Sequence, residues 1–132
     1  ASSSELFTLA NRSLERAEIE VRARRYGLAA QHVLIGQRLL SRLENGQRTA
    51  RVAVTESIAR SRINGFKQLL VDSNDILTNT RNENALQLLQ NAQEMLTKAE
   101  DRLQQRNYIL AAELADVGAD LLRTALRMVR SR

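Results

Sequence analysis

The segment from Leu14 to Leu43 recurs 82 residues later as Leu96 to Ala125, with 11 of 30 positions identical. The matches are Leu14/Leu96, Ala17/Ala99, Glu18/Glu100, Arg24/Arg106, Tyr26/Tyr108, Leu28/Leu110, Ala29/Ala111, Ala30/Ala112, Gly36/Gly118, Leu39/Leu121 and Leu40/Leu122. Both tyrosines of the chain and two of its five glycines fall in register, which composition does not explain. A repeat of this kind means one supersecondary unit used twice. Whatever local structure the first copy adopts, the second is expected to adopt as well.

Each copy has the period of a helix, a tight turn and a second helix. Leu6, Ala10, Leu14, Ala17 and Val21 recur at spacings of three and four, as one buried helix face requires, and Leu88, Ala92, Leu96, Ala99 and Leu103 answer them. After the turn come Tyr26, Ala29, Val33, Gly36, Leu40 and Leu43, matched by Tyr108, Ala111, Ala115, Gly118, Leu122 and Ala125. Ser2 with Glu5, and Thr80 with Glu83, have capping-box spacing and predict helix starts near residues 3 and 81. Neither Arg25-Tyr26-Gly27 nor Arg106-Asn107-Tyr108 holds a strong breaker, so the reversal is expected to rest on inward-packing tyrosines together with Gly27 or Asn107. Gly36 and Gly118 sit in mid-helix, where glycine costs ~0.5 to 1 kcal/mol against alanine. Close helix crossing offsets that cost; the functional alternative is the floor of a groove.

Between the copies, residues 47–79 read as a linking helix with Val52, Ala59, Ile63, Phe66, Leu70 and Leu77 as its stripe. Glu44-Asn45-Gly46-Gln47 is the expected break before it, because Asn-Gly tolerates positive φ. If Gly46 is helical, one long helix replaces two, and Asn64-Gly65 kinks it at most. The chain has no proline, and Ala, Glu, Lys, Leu and Arg supply 68 of its 132 residues, near the ~50% typical of long helices. The fold class is therefore all-α: an antiparallel helical bundle of four or five helices, built from two related helical hairpins joined by a long central helix. It is read as a single domain over 1–132, with copy one at 3–44 and copy two at 81–130.

Ala17, Tyr26, Ala29, Val33 and Gly36, and again Ala99, Tyr108, Ala111, Ala115 and Gly118, have a spacing that resembles the hairpin of tetratricopeptide repeats. The resemblance implies a helical scaffold for peptide and protein contacts. The chain departs from that pattern in its 82-residue offset, in Glu20 and Arg102 where the first helix usually carries an aromatic, and in lacking the terminating proline.

Catalytic chemistry has little to work with here. There is no cysteine, and the single histidine, His32, has no Glu three residues before it and aligns with Leu114, so it reads as a partly packed helix-face residue. The glycines are too dispersed for a phosphate loop. Glu18 and Glu100 have Arg22 and Arg102 in helical reach and read as solvated or salt-bridged face residues. No enzyme activity, metal or cofactor is expected, and no apolar run is long enough to span a bilayer.

The net charge of +5 lies in the first half: residues 1–66 hold 11 Arg against 6 acidic residues, and residues 67–132 hold 9 basic against 9 acidic. Arg22, Arg24, Arg25, Arg38, Arg42, Arg48 and Arg51 are candidate anion-binding residues, with Arg60 and Arg62 following. Arg123, Arg127 and Arg130 complement the negative end of the last helix. Tyr26, Gly36, Tyr108 and Gly118 are the candidate groove or close-packing residues. The leading expectation is a non-enzymatic helical interaction or structural module that binds a protein or peptide or self-associates as a homo-oligomer. An anion-binding protein, for nucleic acid or an anionic membrane surface, is the alternative. The start Ala1-Ser2-Ser3-Ser4 fits the end left by signal-peptide removal, a fragment boundary or Met excision, among which export leads.

Overall fold

The computed structural model describes residues 2–48 and 54–130, and it is all-α. Five helices follow in order: α1 (Ser2–Arg22), α2 (Tyr26–Arg48), α3 (Glu56–Thr78), α4 (Glu83–Gln104) and α5 (Tyr108–Arg130). They form two compact units, Ala1–Ala53 and Val54–Arg132. In the first unit α1 packs on α2; in the second, α4 packs on α5, and α3 packs on both.

Helix ends repeat at the offset of the sequence repeat. α1 and α4 end at Arg22 and Gln104, α2 and α5 begin at Tyr26 and Tyr108, and they end at Arg48 and Arg130. The turns between them are made by arginine, which corrects the expectation that Gly27 or Asn107 would supply the reversal. Among the described residues Arg24 and Arg106 are the non-glycine residues with positive φ, at 62° and 63°. Around each, two amides donate back to carbonyls of the preceding helix: Arg24 to Val21 and Arg25 to Glu20 at 2.9 and 2.8 Å, Arg106 to Leu103 and Asn107 to Arg102 at 3.0 and 2.9 Å. This is the two-bond Schellman closure, in which a left-handed residue lets the last carbonyls find partners. Gly27 is helical, and Asn107 serves at the start of α5, where its Oδ1 accepts from the Leu110 amide at 3.3 Å.

Three further boundaries differ from expectation. Thr80 does not cap α4. Asn82 does, its Oδ1 accepting from the Asn84 and Ala85 amides at 3.0 and 3.1 Å, while Thr80 Oγ1 accepts from the Asn82 amide at 3.2 Å. Gly46 does not interrupt α2, which runs on to Arg48, and the linking helix begins at Glu56 rather than 47. An Asn-Gly pair breaks a helix only if it adopts positive φ, and α-helical φ is equally open to it. The start of α3 is set by Thr55, whose extended backbone and Oγ1, accepting from the Ile58 amide at 3.3 Å, make the cap. α3 then passes unbroken through Asn64-Gly65. Ser2 is the first residue of α1; its side chain, and Val52, lie outside the described set.

Caps of this kind contribute measurably. Replacing Asn82 by Ala strands two amides at the start of α4 and is expected to cost ~1 kcal/mol, whereas Thr80→Ala, which removes one loop hydrogen bond, costs less. Urea denaturation of both variants checks the order.

The cores follow the helical period but not always the expected stripe. In α1 the buried residues are Leu6, Leu9, Ala10, Ser13 and Ala17, whereas Leu14 and Val21 stand exposed at the edge of that face. In α2 Ala29, His32, Ile35, Gly36 and Leu39 are buried and Val33 is exposed. α3 buries Ala59, Ile63, Phe66, Ser73 and Leu77, with Leu70 half-buried. α4 buries Ala85, Leu88, Leu89, Asn91, Ala92, Met95 and Ala99. α5 is buried nearly all round its middle, from Leu110 to Leu126, as a helix with neighbours on two sides must be.

Candidate interaction surface

Of the four residues expected in close packing, the two glycines behave differently from the two tyrosines. A Cβ on Gly118 would lie 2.3 and 2.5 Å from Cζ and Cε2 of Phe66, so the ring of α3 occupies the space that the absent side chain leaves on α5. A Cβ on Gly36 would meet Leu14 Cδ2 at 3.2 Å and the Ala10 carbonyl at 3.4 Å. Both glycines are thus contact positions, one filled by an aromatic ring of α3 and the other overlain by a leucine of α1. Tyr26 is 63% exposed and Tyr108 is half-buried, which corrects the reading of Tyr26 as an inward-packing residue. Each tyrosine is the first residue of its helix, where the chain has just left the turn and the aromatic can lie outside the contact.

The arginines of the first unit are less available than their number implies. Arg22 pairs with Glu18 at 2.7 Å and Arg25 with Glu20 at 2.6 Å. Arg24 forms the left-handed turn position and is exposed. Arg38 and Arg42 are half-buried on α2. The side chain of Arg48, like Arg51 and Leu43's side chain, lies outside the described set. A phosphate approaching Arg22 or Arg25 has to compete with a carboxylate already in place. In the second unit Arg60 pairs with Glu56 at 3.3 Å and Arg62 with Asp116 at 2.9 Å. Arg123, Arg127 and Arg130 border a shallow depression beside Leu126 near the end of α5, with Arg123 3.4 Å from Asp120.

Exposed apolar side chains are the more distinctive feature of α1 and α2. Phe7, Leu14 and Val21 lie seven residues apart along one edge of α1 and are 51%, 40% and 49% exposed. On α2, Tyr26, Ala30 and Val33 are exposed in turn, with Gln37 beyond them and Leu40 half-buried. Because Leu14 lies over Gly36, these two edges border the same seam between the helices. Sequence reasoning placed Leu14, Val21 and Val33 in the core; its spacing rule identifies an apolar position but not which side of a contact line it falls on.

Among the described residues, no group of three or more His, Asp or Glu side chains converges to hold a metal ion, and no helix is long and apolar enough to cross a membrane. Compared with known proteins, the chain matches no family model, no curated protein and no solved structure.

Proposed function

We propose that the chain is a non-enzymatic helical interaction module, in which a duplicated helical hairpin presents an apolar surface to a protein or peptide partner. The observation that carries this reading is the apolar edge of the first unit, where Phe7, Leu14, Val21, Tyr26 and Val33 remain exposed on two packed helices. Exposed apolar side chains grouped along one edge mark interaction sites more often than isolated ones do. Duplication is supported by the coincident helix ends, by Arg24 and Arg106 taking the same rare backbone conformation, and by the contact role of both glycines.

The charge split of the sequence favours a second reading, anion binding by the first half, and the ion pairs of Arg22 and Arg25 weigh against it. Titration of labelled oligonucleotide and anionic liposomes at low and near-physiological salt separates the two. The module reading expects no appreciable binding of either probe at near-physiological salt. Tight binding that falls steeply with salt, and that is lost when Arg38, Arg42, Arg48 and Arg51 are replaced by Gln, would establish the anion-binding reading instead.

A further inference from the structure

The second unit shows what covers such a helix pair. α3 packs on both α4 and α5, in which Leu89, Ala112, Ala115, Gly118 and Ala119 are all buried. Phe66 sits on Gly118, and two ion pairs join α3 to its neighbours: Arg62 with Asp116 at 2.9 Å and Lys67 with Glu100 at 2.7 Å. The residues 82 positions earlier are Phe7, Ala30, Val33, Gly36 and Gln37. Of these only Gly36 is buried, and it is buried beneath Leu14, itself 40% exposed. The first unit therefore has the two helices of the second without the third, and keeps in apolar or small side chains most of the surface that the third would cover.

Resting on the interaction-module reading, we infer that this groove of α1 and α2 binds an amphipathic helix of a partner protein, one built like α3 with an aliphatic residue, an aromatic three positions later and a basic residue directly after it. Ile63, Phe66 and Lys67 of α3 are the internal pattern for that partner. Charge supports the same occupant. Glu100, which receives Lys67, is matched by Glu18 at the corresponding place on α1, and Glu18 meanwhile pairs with the exposed Arg22 of its own helix. A partner's basic residue exchanges one exposed ion pair for another, and the aromatic ring reaches Gly36 once Leu14 swings aside. Val33 in place of Ala115 and Gln37 in place of Ala119 make the groove shallower than its counterpart, so the bound helix sits higher than α3 does.

The test uses the full chain and a fluorescent peptide of residues 54–80, the chain's own α3 sequence, as the probe. Saturable one-to-one binding is expected. Replacing Phe66 by Ala in the peptide should weaken it by about tenfold or more, as loss of a buried aromatic anchor does. Ala30→Glu and Val33→Glu in the chain should abolish binding with helicity unchanged, because both positions are exposed. Glu18→Lys should weaken the native peptide and restore affinity for a peptide with Lys67→Glu. Absence of binding, or binding that Val33→Glu leaves intact because the peptide has replaced α3 on α4 and α5, overturns the assignment. Either failure leaves the interaction-module reading to stand or fall on the salt titration.

Discussion

Gly118→Ala is expected to be the most damaging of the alanine substitutions at Gly36, Gly65 and Gly118. The added carbon would lie 2.3 Å from the Phe66 ring, which is itself buried. Overpacking of this kind costs ~1 to 3 kcal/mol, against which the better helix propensity of alanine returns ~1 kcal/mol at most. The same substitution at Gly65, where nothing lies within 4 Å, should stabilise by ~0.5 to 1 kcal/mol. Gly36→Ala falls between them, because the closest neighbour is the far end of the exposed Leu14 side chain, which can turn aside. A second change isolates the cause: Phe66→Leu should lose stability alone yet recover part of the loss in the Gly118→Ala background. Thermal unfolding of the unsubstituted chain, Gly118→Ala, Phe66→Leu and the double variant reads the coupling, and a loss at Gly118→Ala that is independent of Phe66 would place the conflict elsewhere.

Arg24→Gly and Arg106→Gly should each raise stability, an unusual result for removing a charged side chain. Left-handed backbone costs a residue with a Cβ ~1 to 2 kcal/mol, and glycine avoids that cost while losing part of the gain through its freer unfolded chain. Each variant should gain ~0.5 to 1 kcal/mol, or ~2 to 5 °C in melting temperature at this chain length. Because Arg24 lies in the first unit and Arg106 in the second, the two gains should fall on different units if these melt separately. Valine at either position should have the opposite sign, since a β-branched side chain tolerates positive φ worst.

Much of the helical plan was legible because it depends on local chemistry. A chain without proline, with apolar residues at spacings of three and four, has few alternatives to helices, and the repeat marks the turn in both copies. Polar contributions were harder to see. Ser13, Gln31, Ser73 and Asn91 are buried on their helix faces, and polarity alone would put each outside. The turn residue was missed because Arg is an ordinary helix former, so nothing in its chemistry announces positive φ; only its recurrence as Arg24 and Arg106 was available as a signal. Asn82 is hidden behind Thr80 because a capping box and a simple cap differ by what the backbone does two residues away, and Thr55 is hidden because Asn45-Gly46 offers the stronger break signal before the linking helix.

The apolar edge of the first unit was illegible for a tertiary reason. Leu14 and Leu96 occupy matching sequence positions, as do Val33 and Ala115, so periodicity assigns both copies to a core. Their burial differs because α3 covers α4 and α5, and no residue of copy one records whether its own groove is covered.

Cysteine accessibility tests that difference directly, since the native chain contains no cysteine to interfere. Single cysteines are introduced at matched positions, Ala30→Cys with Ala112→Cys and Val33→Cys with Ala115→Cys, and their reaction with a maleimide is timed in native buffer and in urea. The first member of each pair should react in native buffer at close to its urea rate, and the second only as fast as its unit opens. Equal protection of both members would show that the groove on α1 and α2 is already covered within the chain, and would contradict a surface held open for a partner helix.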